Sequence, residues 1–178
     1  MILLFRILSN EEPSFFRDVV IEGSDTFLDL HQALQEDLGY DASQLASFFI
    51  TNEQWEKHQE ITLIDMMQDP GQTIPTMGEV TLEEHISEVT QRMIYVYDFF
   101  SERAFFMELI ETSDETSPRA TPFIAGAKGD PPPQLALEIL MDQDFNEKEW
   151  EDPEDDLGDL RIDDLDPDLF GSGNPEDY

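Results

Sequence analysis

The sequence predicts an α+β fold: a mostly antiparallel sheet of two hairpins plus an added strand, packed on one principal helix in the order ββαβ…ββ. Three observations predict it. Strand-like runs come in pairs joined by short polar connectors, one amphipathic helical segment lies between the pairs, and 39% hydrophobic content over 178 residues suffices for a moderate core.

The opening MILLFRIL reads as a first strand. Across the polar SNEEPS connector, FFRDVVIE (15–22) is rich in β-branched and aromatic residues and completes a hairpin. In TFLDLHQALQEDLG, Thr26 and Asp29 have capping-box spacing. Phe27, Leu30, Leu34 and Leu38 then recur on one helical face until Gly39 supplies a stop. LASFFIT (45–51) reads as the added strand, and ITLIDMM and VTLEEHI as short segments, the second opening on a Thr81/Glu84 box. RMIYVYDFF and AFFMELIE, separated by Ser101, Glu102 and Arg103, predict the second hairpin. From Thr112 to Gln134 the density of Pro, Gly, Ser and Thr predicts a long surface excursion, with IAGAKGDPPP a rigid loop against the domain.

Charge bounds the partners. The chain carries 42 acidic and 9 basic residues, a net −33. Phosphate backbones are neutralised by clustered Lys and Arg, and here the bases are scattered among acids, so direct nucleic-acid binding is not expected. The same field repels anionic lipid and attracts basic proteins. Nothing reads as a signal peptide or a membrane span. The absence of cysteine excludes thiolate chemistry and suits a cytoplasmic location.

The charge divides unevenly. Residues 1–141 hold 26 acids and 7 bases (−19), and residues 142–178 hold 16 acids and 2 bases (−14), nearly three times the charge per residue. A globular domain over 1–141 followed by an acidic, partly disordered tail over 142–178 is the expected organisation. Within the tail, Leu157, Leu160, Ile162, Leu165, Leu169 and Phe170 alternate with acids. Such a pattern docks on a basic partner, folds back on its own domain, or serves only as a solubiliser.

Candidate chemistry is sparse. His31 stands one turn after Phe27 at the edge of the apolar face, with no histidine at i+4 and no cysteine to complete a metal site. Asp98 interrupts an aromatic strand, where a carboxylate must find donors or sit at the strand's end. Asp142, Asp144 and Asn146 begin like a calcium loop, but Glu147 takes the glycine position and Pro153 the closing glutamate position. Neither a Gly-Lys-Ser/Thr phosphate loop nor a nucleophile elbow is present. No metal or cofactor is expected.

The ordered set FFRDVVIEGSDTFLDLHQAL, LASFF, YVYDFF and IAGAKGDPPP resembles the plasmid pRiA ORF-three-like family over roughly Leu3 to Pro133. That family occurs on plasmids, beside insertion elements and in bacterial chromosomes, and has no established biochemical role. The resemblance implies an α+β domain and assigns motif positions to Thr26, Leu30 and His31 in the helix, Tyr97 and Asp98 in the aromatic strand, and Pro131 and Pro132 in the loop. It also exposes departures. Where the family usually continues D-F-G-D-x-W-x-H, Phe100, Ser101, Arg103 and Phe105 replace the glycine, second aspartate, tryptophan and histidine. The polar cluster is largely erased.

These features favour a noncatalytic interaction module whose acidic tail binds a basic protein. Two alternatives stay open: a DNA mimic occupying a DNA-binding protein, and a degenerate enzyme or metal site near His31 and Asp98.

Overall fold

The computed structural model describes residues 1–64, 74–117 and 119–135. Among these residues seven strands and one α-helix follow in chain order: β1 (Ile2–Ser9), β2 (Phe16–Glu22), α1 (Phe27–Leu38), β3 (Ser47–Thr51), β4 (Lys57–Thr62), β5 (Arg92–Asp98), β6 (Arg103–Ser113) and β7 (Phe123–Lys128), with a short 3-10 turn at Leu82–Glu84 between β4 and β5. They form one sheet in the order β4-β3-β5-β6-β1-β2-β7, with every neighbouring pair antiparallel. The two expected hairpins, β1–β2 and β5–β6, are both present, and α1 is the principal helix.

Period-two patterning decides which face each strand buries. Leu3, Phe5 and Ile7 of β1, Val19 and Ile21 of β2, Phe48 of β3, Met93, Tyr95 and Tyr97 of β5, and Phe105, Met107 and Leu109 of β6 join Leu30, Leu34 and Leu38 of α1 in one core. On the opposite face, cross-strand register lines up Phe49, Ile94, Phe106, Leu8 and Phe16. Among the described residues no helix covers this stripe. Trp55, in the β3–β4 turn, instead sets its ring edge-on to Phe106 at 5.0 Å.

Two elements correct the sequence reading. The stretch from Thr112 to Gln134 is not a surface excursion throughout, because β6 runs on to Ser113 and FIAGAK forms β7 against β2. Its alanines and glycine have weak strand propensity, so pairing along the β2 edge supplies what local sequence lacks. Arg17 secures the joint by donating from Nη1 to the carbonyls of Phe16, Lys128 and Gly129. The polar segment KHQEIT likewise forms β4, pairing with β3 as an edge strand. Charged side chains are ordinary on an edge, where they discourage further pairing, and there they hide the strand from an apolar pattern.

Helix α1 begins as its sequence dictates. The Thr26 hydroxyl accepts the Asp29 amide at 3.2 Å, and the Asp29 carboxylate accepts the Thr26 amide at 2.8 Å. The next two amides, of Phe27 and Leu28, donate to the carbonyls of Val80 and Met77. The first-turn donors of the helix are thus satisfied by protein, which removes the usual basis for anion binding at a helix start. At the other end Gly39 turns left-handed (φ 68°), and its amide and that of Tyr40 both donate to the Gln35 carbonyl. Replacing Thr26 by Ala is expected to lower stability by about 1 kcal/mol in urea unfolding with an unchanged m-value, whereas Thr26→Ser retains most of it. Equal midpoints for all three proteins would show that the cap contributes nothing.

Candidate functional site

Helix periodicity places His31 and Gln35, four residues apart, on the sheet-facing side of α1, where both are buried. They converge on Tyr95 of β5, which is fully buried. The Gln35 amide donates to the Tyr95 hydroxyl at 2.6 Å. The hydroxyl's own proton then goes to His31 Nδ1, 2.8 Å away. Burial pushes the His31 imidazolium down to about pKa 4 and raises the Tyr95 phenol well above its ordinary value. Both groups are therefore neutral near pH 7, a neutral polar link between helix and sheet.

Two residues further along β5, Tyr97 belongs to an aromatic cluster. Its ring lies 4.6 Å from Phe105 and 5.4 Å from Tyr40, and Phe15 stacks on Phe105 at 5.1 Å. Arg103 closes the cluster by gripping Glu11 with a two-pronged ion pair, Nε and Nη2 against the carboxylate at 2.6 to 3.0 Å. The Tyr97 hydroxyl donates to the same carboxylate at 3.3 Å. Tyr40 donates to the carbonyl of Pro132, and Gln134 holds the Asp41 amide at 2.7 Å. The proline loop is thereby fastened to the end of α1.

Asp98 ends β5 and is buried, and its Oδ1 accepts the amides of Phe100 and Ser101 at 3.0 and 3.3 Å. It thus builds the β5–β6 turn, with Glu102 left-handed at φ 53°. Of the motif positions, the structure draws Tyr97 and Pro132 together through Tyr40, sets Thr26 as the helix cap, and engages His31 and Asp98 with different partners. Pro131 is half-buried beside them. Phe105, at the motif's histidine position, is fully buried among aromatic rings, and Phe100, at the glycine position, is 98% exposed. The tail residues Leu157, Leu160, Ile162, Leu165, Leu169 and Phe170 lie outside the described residues. Among the described residues no group of three or more His, Asp or Glu side chains is arranged to hold a metal, and no helix is long and apolar enough to cross a membrane.

Sequence reasoning passed over Tyr95, Gln35, Tyr40 and the Glu11–Arg103 pair. For Gln35 a signal existed, its i+4 spacing from His31. For Tyr95 it was the alternation with Tyr97. Glu11 lies in a polar connector, and nothing local distinguishes it from its neighbour Glu12.

The family model described as "Plasmid pRiA4b ORF-3-like protein" matches residues 3–157. The chain belongs to that family. Among solved structures, a protein of unknown function from Methanosarcina mazei Go1, MM3350, is similar in fold, with a TM-score of 0.57 and 18% identity over 71% of this chain and 68% of that one. No curated protein matches the chain. In this family member the aromatic-strand and proline-loop positions Tyr97 and Pro132 meet through Tyr40, while Thr26, His31 and Asp98 each bond to other residues.

The buried imidazole carries a pH dependence. Between about pH 4 and 6.5 the unfolded chain holds a proton on His31 that the folded chain lacks, so stability falls as pH drops through that window. Relative to His31→Gln, the native chain should lose on the order of 3 kcal/mol across it, measured by urea unfolding at stepped pH. A difference that stays constant with pH would contradict the assignment.

Proposed function

We propose that the protein is a noncatalytic interaction module that captures a basic protein partner. One observation carries the reading: the use of its cations. Arg6, Arg17, Arg92 and Arg103 are paired with Asp18, Asp37, Glu108 and Glu11. With 26 acids against 7 bases in residues 1–141, those pairs leave a large excess of carboxylates facing water. Several are held in the charged form. Hydroxyl and amide donors of Ser43, Thr76 and Thr81 keep Asp41, Glu79 and Glu84 below the usual carboxylate range. A surface of this kind steers cationic partners and rejects anionic ones.

The tail, at −14 over residues 142–178, extends this field, and its interleaved Leu157, Leu160, Ile162, Leu165, Leu169 and Phe170 supply the apolar contacts that charge alone lacks. The lack of cysteine motivates a cytoplasmic setting. The noncatalytic reading is supported by the engagement of His31 and Asp98 in fold-building hydrogen bonds and by the apolar Phe105 at the motif's histidine position.

Titration of the full-length chain against a basic and an acidic probe protein of equal size tests the reading. The basic probe should bind with an affinity that falls as salt rises, the acidic probe should not bind, and the tail variant Leu165→Ser/Leu169→Ser/Phe170→Ser should weaken the basic complex. Equal binding of the two probes would refute it.

A further inference from the structure

The β5–β6 turn presents an apolar side chain that the fold does not use. Phe100 is 98% exposed, and beside it Phe99 and Leu45 are 39% and 41% exposed. Their presentation is built in, since the Asp98 carboxylate accepts the amides of Phe100 and Ser101 and thereby fixes the course of the turn. Together with Tyr97, Gln44 and Leu135 these side chains wall a small apolar recess of about 70 Å³. An exposed aromatic next to an apolar recess is the arrangement that interface anchors adopt.

Charge identifies what fits there. Two acids adjoin the lining: Glu102 lies in the turn itself, and the Asp41 carboxylate is bonded to Gln44. Arg103, which opens β6 after the turn, is buried and paired with Glu11. A second copy of the chain carries the same net charge of −33 and the same acids beside its own tip, which opposes self-association there.

We infer that the Phe99–Phe100 tip and its recess are a docking surface for a cationic segment carrying an apolar anchor, with Lys or Arg side chains meeting Asp41 and Glu102. This rests on the interaction reading above and adds a site on the folded domain, separate from the tail. Phe100 and the partner's anchor cover one another, and the acidic rim selects the sign of the partner's charge.

The test uses the full chain and two synthetic amidated peptides of equal length and charge, one of lysine and leucine, the other of lysine and serine. Binding is read by fluorescence anisotropy. The lysine–leucine peptide should bind about tenfold more tightly, and Phe100→Ser should abolish that advantage while leaving the lysine–serine peptide unchanged. Leu45→Ser, at another lining residue, should reduce it in the same direction. Because Phe100 is exposed, its variant should melt with the native chain. If Phe100→Ser binds both peptides as the native chain does, the docking surface is refuted and the interaction reading stands. If neither peptide binds the native chain, both fall. A native dimer in sedimentation that Phe100→Ser dissolves would assign the tip to a second copy and overturn the cationic partner.

Discussion

Helix α1 meets the sheet mainly through apolar side chains, but the polar pair on that face, His31 and Gln35, ends at the hydroxyl of Tyr95. Apolar contacts tolerate sliding, whereas a hydroxyl with one proton and two buried polar neighbours does not. This junction fixes where α1 sits along β5, and the rest follows from that placement. The helix cap reaches the carbonyls of Met77 and Val80, and the helix end brings Tyr40 to Tyr97 and to the proline loop. The same burial that gives the junction its directionality holds His31 neutral and resists ionisation of Tyr95. His31, which the sequence places at the edge of the apolar face, is thus engaged in the hydrogen bonding of the fold.

Cations are the second constraint. In a chain of net −33, each arginine held in a pair is already neutralised and compensates no other acid. Arg17 ties β7 to β2 and pairs with Asp37 of α1, and Arg103 ties the β1–β2 connection to β6. These pairs serve the architecture. The carboxylates outside these pairs are the basis on which a basic partner is proposed, and the family membership does not specify one. The departures from the family motif fall where they matter most: Phe105 fills an aromatic core, Arg103 binds Glu11, and Phe100 faces water.

Elements with strong local signals were legible in the sequence. Thr26, Asp29 and Gly39 delimit α1 because capping chemistry is local, and β1, β2, β5 and β6 declare themselves through dense β-branched and aromatic runs. The elements that were not legible take their definition from the strand they pair with, β7 from one far along the chain and β4 from its hairpin neighbour. β7 is defined by the edge of β2 and by the reach of Arg17, and β4 by β3, so neither carries an apolar pattern of its own. The candidate site divides the same way. His31 and Asp98 stood out as polar residues in apolar surroundings, whereas Tyr95 and Glu11 acquire meaning only when residues 64 and 92 positions away arrive beside them.

The direction of the proton at the Tyr95 junction tests this account most directly. Nitrogen-15 chemical shifts of His31 at neutral pH report which ring nitrogen is protonated. The structure predicts a neutral ring with the proton on Nε2 and a bare Nδ1 accepting from Tyr95. An imidazolium, or a neutral ring protonated on Nδ1, would contradict it.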